Sequence, residues 1–130
     1  MRIVPVKVPE GADPHEFLRE FIGREGLVGG LIIGIGGFER ATIGVFRGDA
    51  YDTMDIEAFP GHVLEVASLT GNYVVTKDGV STHIHVVLAR SHGETYAGHL
   101  VRARVRPFLE VFLLESGDLT KVFDHRVGQK

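Results

Sequence analysis

The sequence predicts an α+β domain with a largely antiparallel sheet of about seven or eight short strands and one main helix. Three features lead there. One segment, Asp13 to Arg24, opens with helix-start residues and carries an apolar stripe at helical spacing. Short runs of alternating or β-branched residues fill most of the remainder. Glycine-centred turns separate those runs, which places them mostly in hairpin order.

Taken in order, Arg2–Val8 alternates Ile3 with Pro5, and its prolines mark an edge strand. Asp13 then caps a helix, Pro14 takes the first helical position, and Glu16 stands where a capping-box carboxylate belongs. Phe17, Leu18, Phe21 and Ile22 form the buried stripe, Arg19, Glu20 and Arg24 face water, and Gly26 is the stop. His15, in the first turn, is expected on the surface. Leu31-Ile32-Ile33 and Ala41–Phe46 are expected as two strands joined through Gly36-Gly37. Gly34-x-Gly36 lacks the third glycine of a dinucleotide fingerprint, and no Gly-Lys-Ser/Thr follows. These glycines therefore serve a tight turn or a close backbone approach.

Gly48–Asp52 is a turn, and Thr53–Phe59 a strand with Asp55 and Glu57 on one face. Pro60-Gly61 leads into a strand over His62–Thr70, and Gly71-Asn72 and Lys77-Asp78-Gly79 punctuate the chain after it. Within that strand Glu65 needs a partner, either an arginine or a metal-bound histidine. His62 and His125 have no spatial argument attached to them.

The stretch from Ser81 to Leu100 carries the chemistry. His83 and His85, two apart on a strand, share a face. A two-residue turn at His92-Gly93 would put His99 of the returning strand on the other face. A three-residue loop, Ser91-His92-Gly93, with glycine at the positive-φ position, pairs Arg90 with Glu94 and His85 with His99. The second is preferred, and it brings His83, His85 and His99 together. Three imidazoles are the protein ligands of an open zinc site, so a divalent metal, zinc first among candidates, is expected there. His92 is a solvated turn residue. Ile84, Val86 and Leu88 on one face and Val87 and Ala89 on the other make the strand apolar on both sides, so a second layer, a neighbouring subunit, is expected to cover it. Arg102, Arg104 and Arg106 form a basic stripe, read as solvated or ion-paired in preference to anion-binding. Phe108–Glu115 is a further strand, Lys121–Val127 a last short one, and Arg126–Lys130 a fraying tail.

Composition narrows the function. The chain of 130 residues suits one domain, 1–130, at 44% apolar and 24% charged residues. It contains no cysteine, which excludes disulfides, thiolate metal sites and cysteine nucleophiles. No apolar run has the length of a membrane span, and Met1–Gly11 has no apolar signal region, so the expected location is the cytoplasm, with no membrane partner. A net charge of −3 is opposite to the basic footprint of a protein that binds DNA alone.

Several pieces then occur together in a definite order. They are Gly34-Ile35-Gly36 before an Ala-x-x-Gly-x-Phe strand, Leu64-Glu65-Val66, Leu69-Thr70-Gly71-Asn72, Asp78-Gly79, His83-x-His85, Gly98-His99-Leu100 and Leu109-Glu110-Val111. From Phe17 to Glu115 the chain resembles the plants-and-prokaryotes-conserved (PPC) domain. That resemblance implies an α+β fold, a homotrimer, and in prokaryotic members a metal, usually zinc, on the histidines matching His83, His85 and His99. Plant members join the domain to an Arg-Gly-Arg-Pro element for the DNA minor groove, and prokaryotic relatives inherit a DNA-binding label. This chain has no such element. Three functions are therefore carried forward. The first is a trimeric metal-binding module for a small-molecule or protein ligand, with a regulatory role. The second is a zinc-dependent enzyme using a metal-bound water, with no catalytic residue assigned. The third is DNA binding.

Overall fold

A computed structural model describes residues 1–127. Six strands and three helical segments follow one another as β1 (Arg2–Pro9), α1 (Pro14–Arg24), β2 (Gly29–Phe46), β3 (Tyr51–Glu57), β4 (Leu64–Thr76), β5 (Gly79–Ser91), β6 (Glu94–Glu115), a 3-10 turn (Gly117–Phe123) and α2 (Asp124–Val127). Every strand pairing is antiparallel. The class is the expected one, but the strands are fewer and longer. The two runs expected on either side of Gly36-Gly37 are one continuous strand, β2, and β6 likewise joins the strand returning to His99, the arginine stripe and the Phe108–Glu115 strand. No turn interrupts β2 because the irregularity is a bulge between Gly34 and Gly36, where Gly36 takes φ +151°. Lys121–Val127 is helical, not a strand. Likewise β4 starts at Leu64 rather than His62, and it runs straight through Gly71-Asn72 to Thr76.

The two long strands close the sheet. β2 pairs with β4 through its first half, with β3 through its second, and with β6 along both. β6 takes β5 on its N-terminal half and β1 on its C-terminal half. With β4 joined to β5, the ring β2–β4–β5–β6 returns to β2. Closure leaves one face of each strand looking inwards, which explains the period-two burial. Ile84, Val86 and Leu88 of β5, Leu109, Val111 and Leu113 of β6, and Val4, Val6 and Val8 of β1 are all buried. Leu18 and Ile22 of α1 complete this core. The helix begins as expected, with Asp13 accepting from the Glu16 N–H at 3.0 Å.

One junction in the ring positions the site. β5 pairs with β6 only as far as His85↔His99. Beyond it, the segment leading into α1 takes over that edge of β6. Gly11 N–H donates to Val105 O at 2.8 Å, Val105 N–H to Ala12 O at 3.0 Å, and Ala103 N–H to the Asp13 carboxylate at 2.8 Å. His15 fills the seam and is buried at 7% exposure, contrary to its expected surface position. Its Nε2 donates to Leu100 O at 2.8 Å, so its Nδ1, 2.7 Å from the Thr82 hydroxyl, accepts. The first turn of α1 lies against the sheet here, and that turns the residue inwards.

A histidine-lined candidate metal centre

The register brings the three histidines to one place. His85 lies directly opposite His99, and His83 follows two residues along β5 on the same face. The register is the expected one, but the loop is not. Ser91 pairs with Glu94, so His92-Gly93 is a two-residue turn, with Gly93 at φ +75°. The extra residue is Arg90, bulged between the Ala89↔Thr95 and Ser91↔Glu94 pairs, and it restores the pairing that a three-residue loop would have given. Arg90 is fixed there by the Glu94 carboxylate at 2.6 Å. Hydrogen bonds from Arg90, Tyr96 and Ser91 hold the Glu94 carboxyl down at about 2. Glu94 is thus committed to the hairpin end.

The ring centroids of His83, His85 and His99 stand 5.0, 5.3 and 5.7 Å apart in pairs, and one nitrogen from each lies within 4.8 Å of the others. Around a tetrahedral zinc with Zn–N bonds of about 2.0–2.1 Å, ligand nitrogens are about 3.3 Å apart. A closure of this size is within reach of side-chain rotation. His83 and His85 are exposed and His99 is half-buried, so the patch faces outwards with one side open. Partial desolvation of the ring, then the neighbouring His85 and Arg126, lower the pKa of His83. Burial, then His83 and His85, lower that of His99. Both rings are therefore neutral at neutral pH, the form a metal takes. Nδ1 of His99 is buried with no hydrogen-bond partner among the described residues. Three imidazoles, one with an unsatisfied nitrogen, fit a borderline-soft divalent ion such as zinc.

Neighbouring elements hold the rings, and most of these contacts were not foreseen. Tyr51 stacks on His99 with centroids 4.4 Å apart at 22°. It does so by lying over Gly44, the residue opposite His99 on β2, where an added Cβ would come within 3.2 Å of the Tyr51 ring. On the other side Thr70 and Asn72 of β4 face His85 and His83. Gly71 between them lies so close to His83 O that any side chain would collide with it. Arg126, expected in a fraying tail, instead bonds the Asn72 side chain and donates to Ser81 O at 3.0 Å. The rest of that expected tail, residues 128–130, lies outside the described residues.

The other candidates lie elsewhere. Glu65 is exposed and pairs with Ala89 and Gly37, five positions along β4 from the Thr70 that faces His85. At about 3.4 Å per residue, this puts it roughly 17 Å from the histidines. His62 caps Pro60 O at 3.0 Å, and His92 and His125 are exposed. In the arginine stripe, Arg104 and Arg106 lie 3.3 and 3.9 Å from Glu39, whereas Arg102 makes no ion pair among the described residues. Among those residues, no helix is long and apolar enough to cross a membrane.

Comparison with known proteins gives a consistent picture. No curated protein matches the sequence significantly. A metal-containing protein of Archaeoglobus fulgidus is similar in structure, with 30% identity and a TM-score of 0.78 over 88% of this chain and 79% of that one. A plant- and prokaryote-conserved (PPC) protein of Pyrococcus horikoshii has 30% identity and a TM-score of 0.79, over 88% and 78%. A Bacteroides thetaiotaomicron protein shares the fold at 24% identity, with a TM-score of 0.78 over 88% and 78%. Residues 1–117 match the Plants and Prokaryotes Conserved (PCC) domain, the family abbreviated PPC above. With its closed sheet and its histidine hairpin in the register that the sequence implies, the chain belongs to that family.

Proposed function

We propose that the chain is a small homotrimeric zinc-binding protein of the cytoplasm, whose metal centre takes part in binding a small-molecule or protein ligand in a regulatory role. The observation that carries this reading is the convergence of His83, His85 and His99, with one nitrogen of each within 4.8 Å of the others. A metal there would have three neutral ligands and a fourth position open to a ligand. The metal-containing relative from Archaeoglobus fulgidus supports the metal. Self-association is supported by the outer face of the sheet. Ile3, Ile33, Ile35 and Phe112 are each 45–63% exposed, and Pro5, Phe112 and Ile33 lie side by side across β1, β6 and β2. An apolar surface of this kind marks an interface. A chain without cysteine also suits a reducing compartment.

The enzyme reading is weaker. A zinc-bound water would ionise near pH 7, but no carboxylate joins the histidine cluster among the described residues, and Glu65 is too distant to act as its base. DNA binding is weaker still, because two of the three stripe arginines are paired with Glu39.

Elemental analysis of the purified protein tests the proposal. It should find one divalent metal per chain in the wild type and a large loss in His83→Ala/His85→Ala. Equal metal content in both proteins would refute the site, and light scattering that finds only monomers at micromolar concentration would refute the assembly.

A further inference from the structure

We infer that the groove beside the histidines takes a small dicarboxylate, held between the metal and the guanidinium of Arg102. This names the ligand class of the proposed metal centre and rests on that reading.

The first observation is a bulge. Thr42 and Gly44 share one face of β2, and their partners on β6 are Arg102 and His99. Between them Ile43 pairs with Leu100, which leaves Val101 as the extra residue of β6. In a regular strand, residues three apart point to opposite faces. The bulge at Val101 cancels that and turns Arg102 to the face that carries His99. A groove of about 1180 Å³ is lined by both residues, together with Thr42, Arg19 and Arg104.

The second observation is charge. A divalent ion on three neutral imidazoles keeps its full +2, because no carboxylate belongs to the cluster among the described residues. Arg102 adds a positive charge without an ion-pair partner among those residues. Of the four carboxylates that also line the groove, Asp13, Glu16, Asp55 and Glu57, two are engaged by hydrogen bonds. Asp13 accepts from the Glu16 and Ala103 N–H groups, and Asp55 accepts from the Thr42 hydroxyl at 2.6 Å. An anion here meets two cationic centres, the metal and an Arg102 without an ion-pair partner among the described residues, in one concave place.

The third is span. The His99 and Arg102 positions are set by β2 residues two apart, about 7 Å along the strand. One carboxylate can occupy the open metal position while a second takes the guanidinium in the paired N–H···O geometry that arginine favours. A short alkyl dicarboxylate covers this distance. Inorganic phosphate, with its oxygens on a single centre, does not.

Calorimetric titration of the zinc-loaded full chain with malonate, succinate and inorganic phosphate tests this, with Arg102→Gln as the variant. The wild type should bind at least one dicarboxylate, and the variant should bind it about tenfold or more weakly while keeping its zinc and its thermal midpoint. No heat from either dicarboxylate, equal affinity in Arg102→Gln, or tighter binding of phosphate would each overturn the inference. Zinc measured on the same samples separates the two levels of failure. A zinc-loaded protein that ignores dicarboxylates refutes only the ligand, whereas a protein that takes up no zinc refutes the metal centre and the ligand together.

Discussion

Replacing His15 with leucine would remove the side chain that ties the first turn of α1 to both histidine-bearing strands. In the wild type its Nε2 donates to the buried Leu100 carbonyl and its Nδ1 accepts from Thr82, each one residue from a proposed ligand. Leucine approximates the volume but leaves both polar groups without their partner, at about 1–3 kcal/mol for each such buried group. Thr82 is only partly buried and can recover some of this from water, so the expected loss is about 2–4 kcal/mol. Urea denaturation at fixed protein concentration measures it. The pH dependence makes the test sharper. Burial lowers the His15 pKa below its ordinary 6.5, and Arg19 adds to this, against opposing effects of the Leu100 hydrogen bond and Asp13. The unfolded chain therefore takes up the proton first as pH falls below 6.5, and this histidine's contribution to stability shrinks by up to about 1.4 kcal/mol per pH unit. The gap between wild type and His15→Leu should narrow from pH 7 to pH 5. A variant within about 0.5 kcal/mol of wild type at pH 7, or a gap that widens on acidification, would refute the seam role of His15.

Three further outcomes follow from the same structure. Tyr51→Ala should weaken zinc binding about tenfold by freeing the His99 ring, while Tyr51→Phe, which keeps the stack, should bind as wild type does; competition with a chromogenic chelator reads both. Glu115→Ala should cost about 2–4 kcal/mol in chemical denaturation, because its carboxylate accepts from Val28 N–H at 2.9 Å, Gly29 N–H at 3.3 Å and the fully buried Tyr73 hydroxyl at 2.6 Å. Duplex DNA at physiological salt should bind weakly and without sequence preference, given the net charge of −3 and the Glu39 pairing of Arg104 and Arg106. Submicromolar affinity lost in Arg102→Ala/Arg104→Ala/Arg106→Ala would reverse that ranking.

Local chemistry made much of this molecule legible in the sequence. The Asp13-Pro14 start of α1 and the alternation of Ile84, Val86 and Leu88 depend on neighbours a few residues apart, and the structure repeats both. What escaped the sequence depends on ring closure. Glycines between apolar runs look like turns, but at Gly36 and Gly71 they let strands pass close to one another, so β2 and β4 continue where breaks were expected. The buried place of His15 depends on β5 leaving β6 at His99, a fork with no local signature. Bulges were equally hidden. The bulge at Arg90 gave the expected His85↔His99 register by a different route, and the bulge at Val101 turned Arg102, with Arg104 two residues on, to the face of His99, which a regular strand would have kept them from. Tyr51 left no signal because its role depends on Gly44 across the strand.

X-ray absorption at the zinc edge of the reconstituted wild-type protein tests the metal centre most directly. It should show only nitrogen and oxygen neighbours at about 2.0–2.1 Å, with multiple-scattering from three imidazoles and one further light atom. A spectrum with one imidazole or none, or one that His99→Ala leaves unchanged, would contradict a centre built on His83, His85 and His99.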